Sequence, residues 1–206
     1  LFGEIVHGEG AYIHSLLDGN FSKDKYYDSW RLKENFRNGN LYPTHGLGPV
    51  AQAMDINRGD KMEFLVAVSG NDFQMAAMAK ELAAKDPFYA QYANKKFRGN
   101  MNTTTIRTNK GRTIMLQHDV TSPNVYSRIH KLSGTKGSCL KYPDPGKIAF
   151  GHEGWVTETA FKELEAKYTT PLVKQVGEKA KQVGGHGGMD FLMDWRTIDC
   201  LRYGLP

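Results

Sequence analysis

Cysteine is scarce in this chain. The two among 206 residues, Cys139 and Cys200, lie far apart and in no metal-like or redox-like pair, so the spacing supports neither a disulfide framework nor a thiol redox site. No apolar run approaches the roughly 20 residues that a membrane-spanning helix needs. No signal peptide is present either: the chain opens on Leu1-Phe2-Gly3-Glu4-Ile5-Val6, which reads as a strand already under way. That opening and the close at Gly204-Leu205-Pro206 look like cuts, so the missing leader is no guide to where the intact protein works. The catalytic signatures are thin too. There is no H-E-x-x-H and no cysteine–histidine cluster, which leaves no metal site to name. There is no G-x-S-x-G elbow for a serine nucleophile, and no carboxylate pair stands out as a two-carboxylate glycosidase would have it. A G-x-G-x-x-G turn between a strand and a helix is also missing. Gly184-Gly185-His186-Gly187-Gly188 is glycine-rich but follows no predicted strand, so the chain carries no dinucleotide-binding unit of its own.

Charge is plentiful but dispersed. The 27 Lys and Arg outnumber the 22 Asp and Glu for a net charge of +5. The densest basic spots, Lys95-Lys96-Phe97-Arg98 and Lys174 to Lys181, are short and diluted. A phosphate backbone needs several cations on one face, so nucleic acid is not expected as a partner. Hydrophobic residues at 40% and charged residues at 24% are the balance of an ordinary globular domain.

The order of elements points to α+β. Ile5 to Leu16 reads as a strand and Trp30 to Phe36 as a short amphipathic stretch. Gly48-Pro49 places proline at a first helical position, so a short helix is predicted over Val50 to Ile56. Phe64-Leu65-Val66-Ala67-Val68 has the continuous apolar character of a buried strand. Asn71 or Asp72 can cap a helix running to Lys85, with Asp86-Pro87 ending it. Arg98 to Thr108 and Arg112 to Val120 flank Asn109-Lys110-Gly111, a hairpin signal. Strands are expected around Tyr126 to Leu132 and Ser138 to Tyr142, and helices over Thr157 to Tyr168, Pro171 to Val183 and Asp190 to Arg202. Strands in a run followed by helices predict one α+β domain over residues 1–206, with an open, mostly antiparallel sheet covered by helices on one face.

Three stretches hold side chains suited to proton transfer or sugar binding. In His7-Gly8-Glu9-Gly10-Ala11-Tyr12-Ile13-His14, alternation puts Tyr12 and His14 on one strand face, about 7 Å apart along the strand, with His7 and Glu9 opposite. Tyrosine beside histidine can act as an acid–base pair; half-buried sheet residues with satisfied hydrogen bonds show the same spacing. In Tyr42-Pro43-Thr44-His45-Gly46-Leu47-Gly48-Pro49, His45 is expected just ahead of the helix, where free N–H groups favour electron-rich ligand atoms. A plainly capped turn reads equally well there. In Asn124-Val125-Tyr126-Ser127-Arg128-Ile129-His130, Tyr126, Arg128 and His130 would line one strand face. Such a face suits a polyhydroxylated ligand, since aromatic faces stack on sugar rings and Arg donates to hydroxyls; cross-strand pairing also accounts for Arg128. His118-Asp119 reads as an isolated structural pair.

At these same stretches the sequence resembles glycoside hydrolase family 109, the NAD-dependent α-N-acetylgalactosaminidases. The phrases are HGEGAYIH, WRLKEN, NGNLYPTHGLGPV, INRGDKM, KKFRGNMNTTTIRT, HDVTSP, YSRIH, SGTKG, LKYP, GHEGW and QVGGHGGMDFLMDWR. They run over nearly the whole chain. The resemblance extends to the wider Gfo/Idh/MocA oxidoreductase-like group, whose members join an N-terminal Rossmann domain holding NAD(P) to a C-terminal domain with an open antiparallel sheet. It implies that this chain is the C-terminal, sugar-binding half. It also implies a redox-assisted elimination: oxidation of the sugar C3 hydroxyl by NAD⁺, loss of the acidified C2 proton, departure of the glycosidic oxygen, addition of water and return of the hydride. NAD-dependent glycosidases are exceptions to the two-carboxylate rule.

Carried over by resemblance, Tyr12, His14 and His45 are the catalytic candidates, and Arg31, Tyr42 and Tyr126 line the sugar. Which of the three is the C2 base stays open, and the segment between Arg31 and Tyr42 is slightly shorter than in some members. The implied substrate is a carbohydrate with terminal α-linked N-acetylgalactosamine, and NAD is held mainly by the absent domain. The chain alone, with no hydride acceptor, is expected to be inactive. The resemblance also implies homo-oligomers through the sheet face, and exported, periplasmic members are common. Two other readings compete: a sugar oxidoreductase of the same group without hydrolysis, and a non-catalytic carbohydrate-binding or assembly module.

Overall fold

Glycine decides where the central strand meets its helix. Strand β1 (Ile5–Ile13) alternates Gly8, Gly10 and Tyr12 on one face with His7, Glu9 and Ala11 on the other. Helix α3 (Thr44–Ala53) crosses the glycine-bearing face. A Cβ on Gly10 would stand 2.4 Å from the carbonyl oxygen of Gly46, and one on Gly46 would stand 2.5 Å from the backbone nitrogen of Ala11. Both are far inside van der Waals contact, so the two backbones touch directly because neither residue has a side chain.

The computed structural model describes residues 1–25 and 27–205. They divide into two compact units, residues 1–155 and residues 156 onward. The first unit begins with β1, α1 (Leu17–Asn20), α2 (Trp30–Glu34) and α3. It continues through β2 (Met62–Ser69), α4 (Met75–Ala83), β3 (Asn102–Thr108), β4 (Thr113–Asp119), β5 (Lys131–Gly134), β6 (Gly137–Leu140) and β7 (Lys147–Phe150). Its seven strands form one open sheet in the order β2-β3-β4-β1-β5-β6-β7. Every neighbouring pair is antiparallel except β1 and β4, which run parallel with Gly10 opposite Leu116 and Tyr12 opposite His118. The expected α+β architecture with a mostly antiparallel sheet is what the structure shows.

Two apolar cores hold this unit together. Between α3 and the sheet, Val50, Met54, Ile106, Ile114 and Leu116 are buried. Away from it, Phe21, Leu32, Met75, Ala79, Tyr89, Tyr92 and Phe97 pack into a second cluster. Asp72 starts α4 by accepting hydrogen bonds from the N–H groups of Gln74, Met75 and Ala76, and Asp86 caps the 3₁₀ turn at Pro87–Tyr92 through Phe88 N–H. Asn109-Lys110-Gly111 closes the β3–β4 hairpin, with Gly111 at φ 78°.

Three expectations require correction, and one strand was not anticipated. The helix predicted from Val50 begins at Thr44 and carries Pro49 inside it. The apolar run 64–68 is no buried strand: β2 is the edge of the sheet and α3 packs on β1 and β4, so Phe64, Leu65, Val66 and Val68 are all more than half exposed. No regular strand spans Tyr126 to Leu132. Ser127 bridges Ile13, then Ile129 (φ 59°) and His130 (φ 48°) turn left-handed and β5 starts only at Lys131. Strand β7, after the proline-rich 142–146, has no counterpart in the sequence reading.

The second unit holds α5 (Glu158–Tyr168), α6 (Pro171–Val183) and α7 (Met189–Tyr203). Thr157 and Thr170 cap α5 and α6 through their side chains, and Pro171 occupies the first turn of α6. Among the described residues no helix is long and apolar enough to cross a membrane. Both cysteines are free thiols.

Candidate active site

The site forms where the parallel pair β1 and β4 ends. Tyr12, buried near the end of β1, is its hub. Its ring centroid lies 4.8 Å from that of His45, 5.0 Å from Tyr42, 5.8 Å from His14, 6.1 Å from His118 and 6.4 Å from Tyr126. Tyr126 stands edge-on to His14 at 5.0 Å, and Tyr42 lies 4.9 Å from His45. The five ring residues singled out from sequence therefore converge from three separate segments.

Each ring is placed by backbone pairing. His14 N–H donates to the Asp119 carbonyl, which ties the end of β1 to the end of β4. Ile13 and Ser127 exchange both backbone hydrogen bonds, and Ala11 N–H donates to the Arg128 carbonyl, so Tyr126 is hung beside His14. Helix α3 brings Tyr42 and His45 in through the Gly10–Gly46 contact. His45 lies inside the first turn of α3 rather than ahead of it.

Arg31 takes a different position. It lines a cavity of about 140 Å³ with Trp30, Glu34, Leu41, Tyr42, His118 and Val120. Its guanidinium lies 4.8 Å from the Trp30 ring, a cation–π arrangement. The cavity shares Tyr42 and His118 with the ring cluster. Arg128, expected on a strand face with Tyr126, does meet it by donating Nε–H to the Tyr126 hydroxyl. His130 does not continue that face: its ring turns to the His45 carbonyl.

The electrostatics behind the cluster are unusual. His118 is 2% exposed. Burial, reinforced by the Arg98 charge, pushes its pKa down to about 3, so its imidazole is neutral. Arg98, also 2% exposed, has its own pKa lowered by burial to about 10 and still carries its charge near neutrality. It donates to Asn35 Oδ1 and to the carbonyls of Gly99 and Asn100. Beside it, Asp119 accepts from the N–H groups of Thr121 and Ser122. Burial alone would raise the Asp119 pKa, but these bonds outweigh it and hold the carboxyl below its ordinary value. His118-Asp119, read from sequence as a structural pair, therefore backs the ring cluster directly.

Tyr142 was not singled out from sequence. Its ring lies 5.9 Å from Tyr126 and 5.6 Å from His130, and burial raises its pKa. Its place depends on Lys141 and Tyr142 N–H donating to the carbonyls of His130 and Ile129, a pairing that local spacing does not encode. Among the described residues, no three His, Cys, Asp or Glu side chains gather as a metal site would require.

Comparison with known proteins places the chain among the glycosyl hydrolases. The family model for Glycosyl hydrolase 109, C-terminal domain, matches residues 1–206, and the chain belongs to family 109. A family 109 protein of Shewanella sp. (strain ANA-3) is 46% identical over 207 residues, covering 99% of this chain and 45% of the relative. A protein of Shewanella oneidensis named alpha-N-acetylgalactosaminidase is 43% identical over 216 residues, covering 99% and 45%. The chain thus spans less than half the length of these curated relatives. Among solved structures, an inositol dehydrogenase homolog from Azotobacter vinelandii, complexed with NADH and myo-inositol, aligns at TM-score 0.47 and 12% identity, covering 75% of this chain and 35% of that one.

Proposed function

We propose that the intact protein is an NAD-dependent glycosidase that removes terminal α-linked N-acetylgalactosamine, and that this chain supplies the sugar-binding and catalytic side chains. The observation that carries this reading is the convergence of Tyr12, His14, Tyr42, His45 and Tyr126 at the end of β1. Family membership and the name of the Shewanella oneidensis relative support the substrate class.

The described residues do not fit a dinucleotide. The glycine run 184–188 leads into α7 but follows α6 rather than a strand, so the phosphate turn of a βαβ unit is missing. NAD is accordingly assigned to sequence outside this chain, where, once bound, it supplies a hydride acceptor. What these residues do is move protons and hold hydroxyls. An elimination at C2 needs a base for the carbon-bound proton and an acid for the departing glycosidic oxygen. His14 and His45 put two further protonic side chains 5.8 and 4.8 Å from the Tyr12 ring. Tyr42 and Tyr126 offer ring faces and hydroxyls to the sugar, and Arg31 donates to it from the adjoining cavity. The open face of the sheet, with Phe64, Val66 and Val68 exposed at its edge, serves as a pairing surface for a second copy.

The test uses the intact gene product, NAD⁺ and an α-N-acetylgalactosaminide with a chromophoric leaving group. Chromophore release without net NADH accumulation is expected, with Tyr12→Phe and His14→Ala each lowering kcat by roughly 10²- to 10⁴-fold. Stoichiometric NADH without release would make the protein a sugar oxidoreductase. Binding of the sugar with neither outcome would make it a non-catalytic module.

A further inference from the structure

Helix α3 contains a proline in its interior, and the consequence falls on a residue of the ring cluster. Proline has no N–H, so the carbonyl four residues earlier loses its helical partner. For Pro49 that carbonyl belongs to His45. A carbonyl that loses its helical donor is costly to leave without another, and here one comes from across the fold: His130 Nε2 lies 2.8 Å from the part-buried His45 carbonyl oxygen. A carbonyl only accepts, so Nε2 carries the hydrogen and the tautomer of His130 is set.

The backbone is strained to deliver this ring. Ile129 and His130 both take left-handed φ values, 59° and 48°, a conformation that β-branched isoleucine adopts at a cost. The segment is clamped on either side, by Ala11 N–H to the Arg128 carbonyl and by Lys141 and Tyr142 N–H to the carbonyls of His130 and Ile129. The His130 ring packs 5.6 Å from Tyr142.

We propose that His130 is a positioning residue, which replaces the hydrogen bond that Pro49 cannot make and thereby fixes the first turn of α3, and with it His45 and Tyr42, against Tyr12. The part this plays in turnover rests on the glycosidase reading above; the hydrogen bond itself does not.

Because alanine at position 49 would restore an N–H able to reach the His45 carbonyl, a double-mutant cycle isolates the device. His130→Ala, Pro49→Ala and the double variant are made in the intact gene product, with His130→Gln as a donor-retaining substitute in case His130→Ala fails to fold. The readouts are kcat and KM on the chromogenic substrate, and the NMR ring signals of His45. His130→Ala is expected to cut kcat roughly tenfold or more and to move the His45 signals. Pro49→Ala in the same background is expected to restore most of both, and His130→Gln to lose far less than His130→Ala. Additive losses, or His45 signals indifferent to His130→Ala, overturn the proposal. If the wild-type protein shows no glycosidase activity, the functional reading fails, and the same cycle read on the His45 signals still decides: rescue by Pro49→Ala supports the device and additivity refutes it.

Discussion

At the scale of single residues, the clearest consequence belongs to His118. Its pKa in the folded protein is depressed to about 3, whereas in the unfolded chain it titrates near its ordinary value, about 6.5. Above that pH both states are neutral and the shift contributes nothing. As pH falls below about 6.5 the unfolded chain takes up a proton that the folded one refuses, so stability drops by up to roughly 1.4 kcal/mol per pH unit toward pH 3. His118 ring signals are expected to stay unchanged between pH 7.5 and 5, and the denaturation midpoint to fall across that range less steeply in His118→Asn. A ring signal that titrates near pH 6 would refute the assignment. From sequence, residue types and their alternation place Tyr12 and His14 on one face of β1. The state of His118 could not be read that way, because it depends first on burial and then on Arg98, twenty positions earlier in the chain and brought close only by the fold.

At the scale of elements, the contact between β1 and α3 is the most demanding feature. Gly46→Ala would set a Cβ 2.5 Å from the Ala11 nitrogen and 2.8 Å from the Gly10 carbonyl carbon. Both are backbone atoms that cannot step aside, so a loss of at least about 1–3 kcal/mol is expected, together with most of the activity. Gly48→Ala, two residues along the same helix, meets nothing within 4 Å beyond its chain neighbours; because it precedes Pro49, which disfavours helical backbone for any residue with a Cβ, it is expected to cost far less than Gly46→Ala without stabilising. Thermal unfolding of the pair checks this, and equal effects would refute it. Elements with strong local signals were legible: the Asp72-capped helix, the Asn109-Lys110-Gly111 hairpin, and the helices opened by Thr157 and Thr170. Those set by tertiary context were not. Pro49 reads locally as a helix start, yet α3 runs through it, and the His45 carbonyl that the proline cannot bond accepts from His130, far away in sequence. The apolar 64–68 resembles a core strand because nothing local says that it lies at the edge of the sheet.

At the scale of the whole molecule, the run of strands before helices conveyed the α+β class and an open sheet. The single parallel pair, β1 with β4, could not be inferred, since it joins segments about a hundred residues apart. The ring cluster at its end was visible only as separate pieces. Phe64, Val66 and Val68 also acquire meaning here. If the sheet face pairs with a second copy, Val66→Lys, which adds charge to an exposed edge strand, is expected to convert a dimeric intact protein to monomer in sedimentation velocity without unfolding it. A wild-type protein that sediments as a monomer would remove the pairing surface.

The Gly10–Gly46 contact also bears on how this protein can be engineered. With two backbones meeting and no side chain between them, positions 10 and 46 have no room to change, so libraries that target the proposed sugar site would find few viable variants at these two positions. The adjoining cavity, bordered by Trp30, Arg31, Leu41 and Tyr42, is walled by side chains on short helical and loop segments. Under the proposed function, that is where substrate range has room to drift.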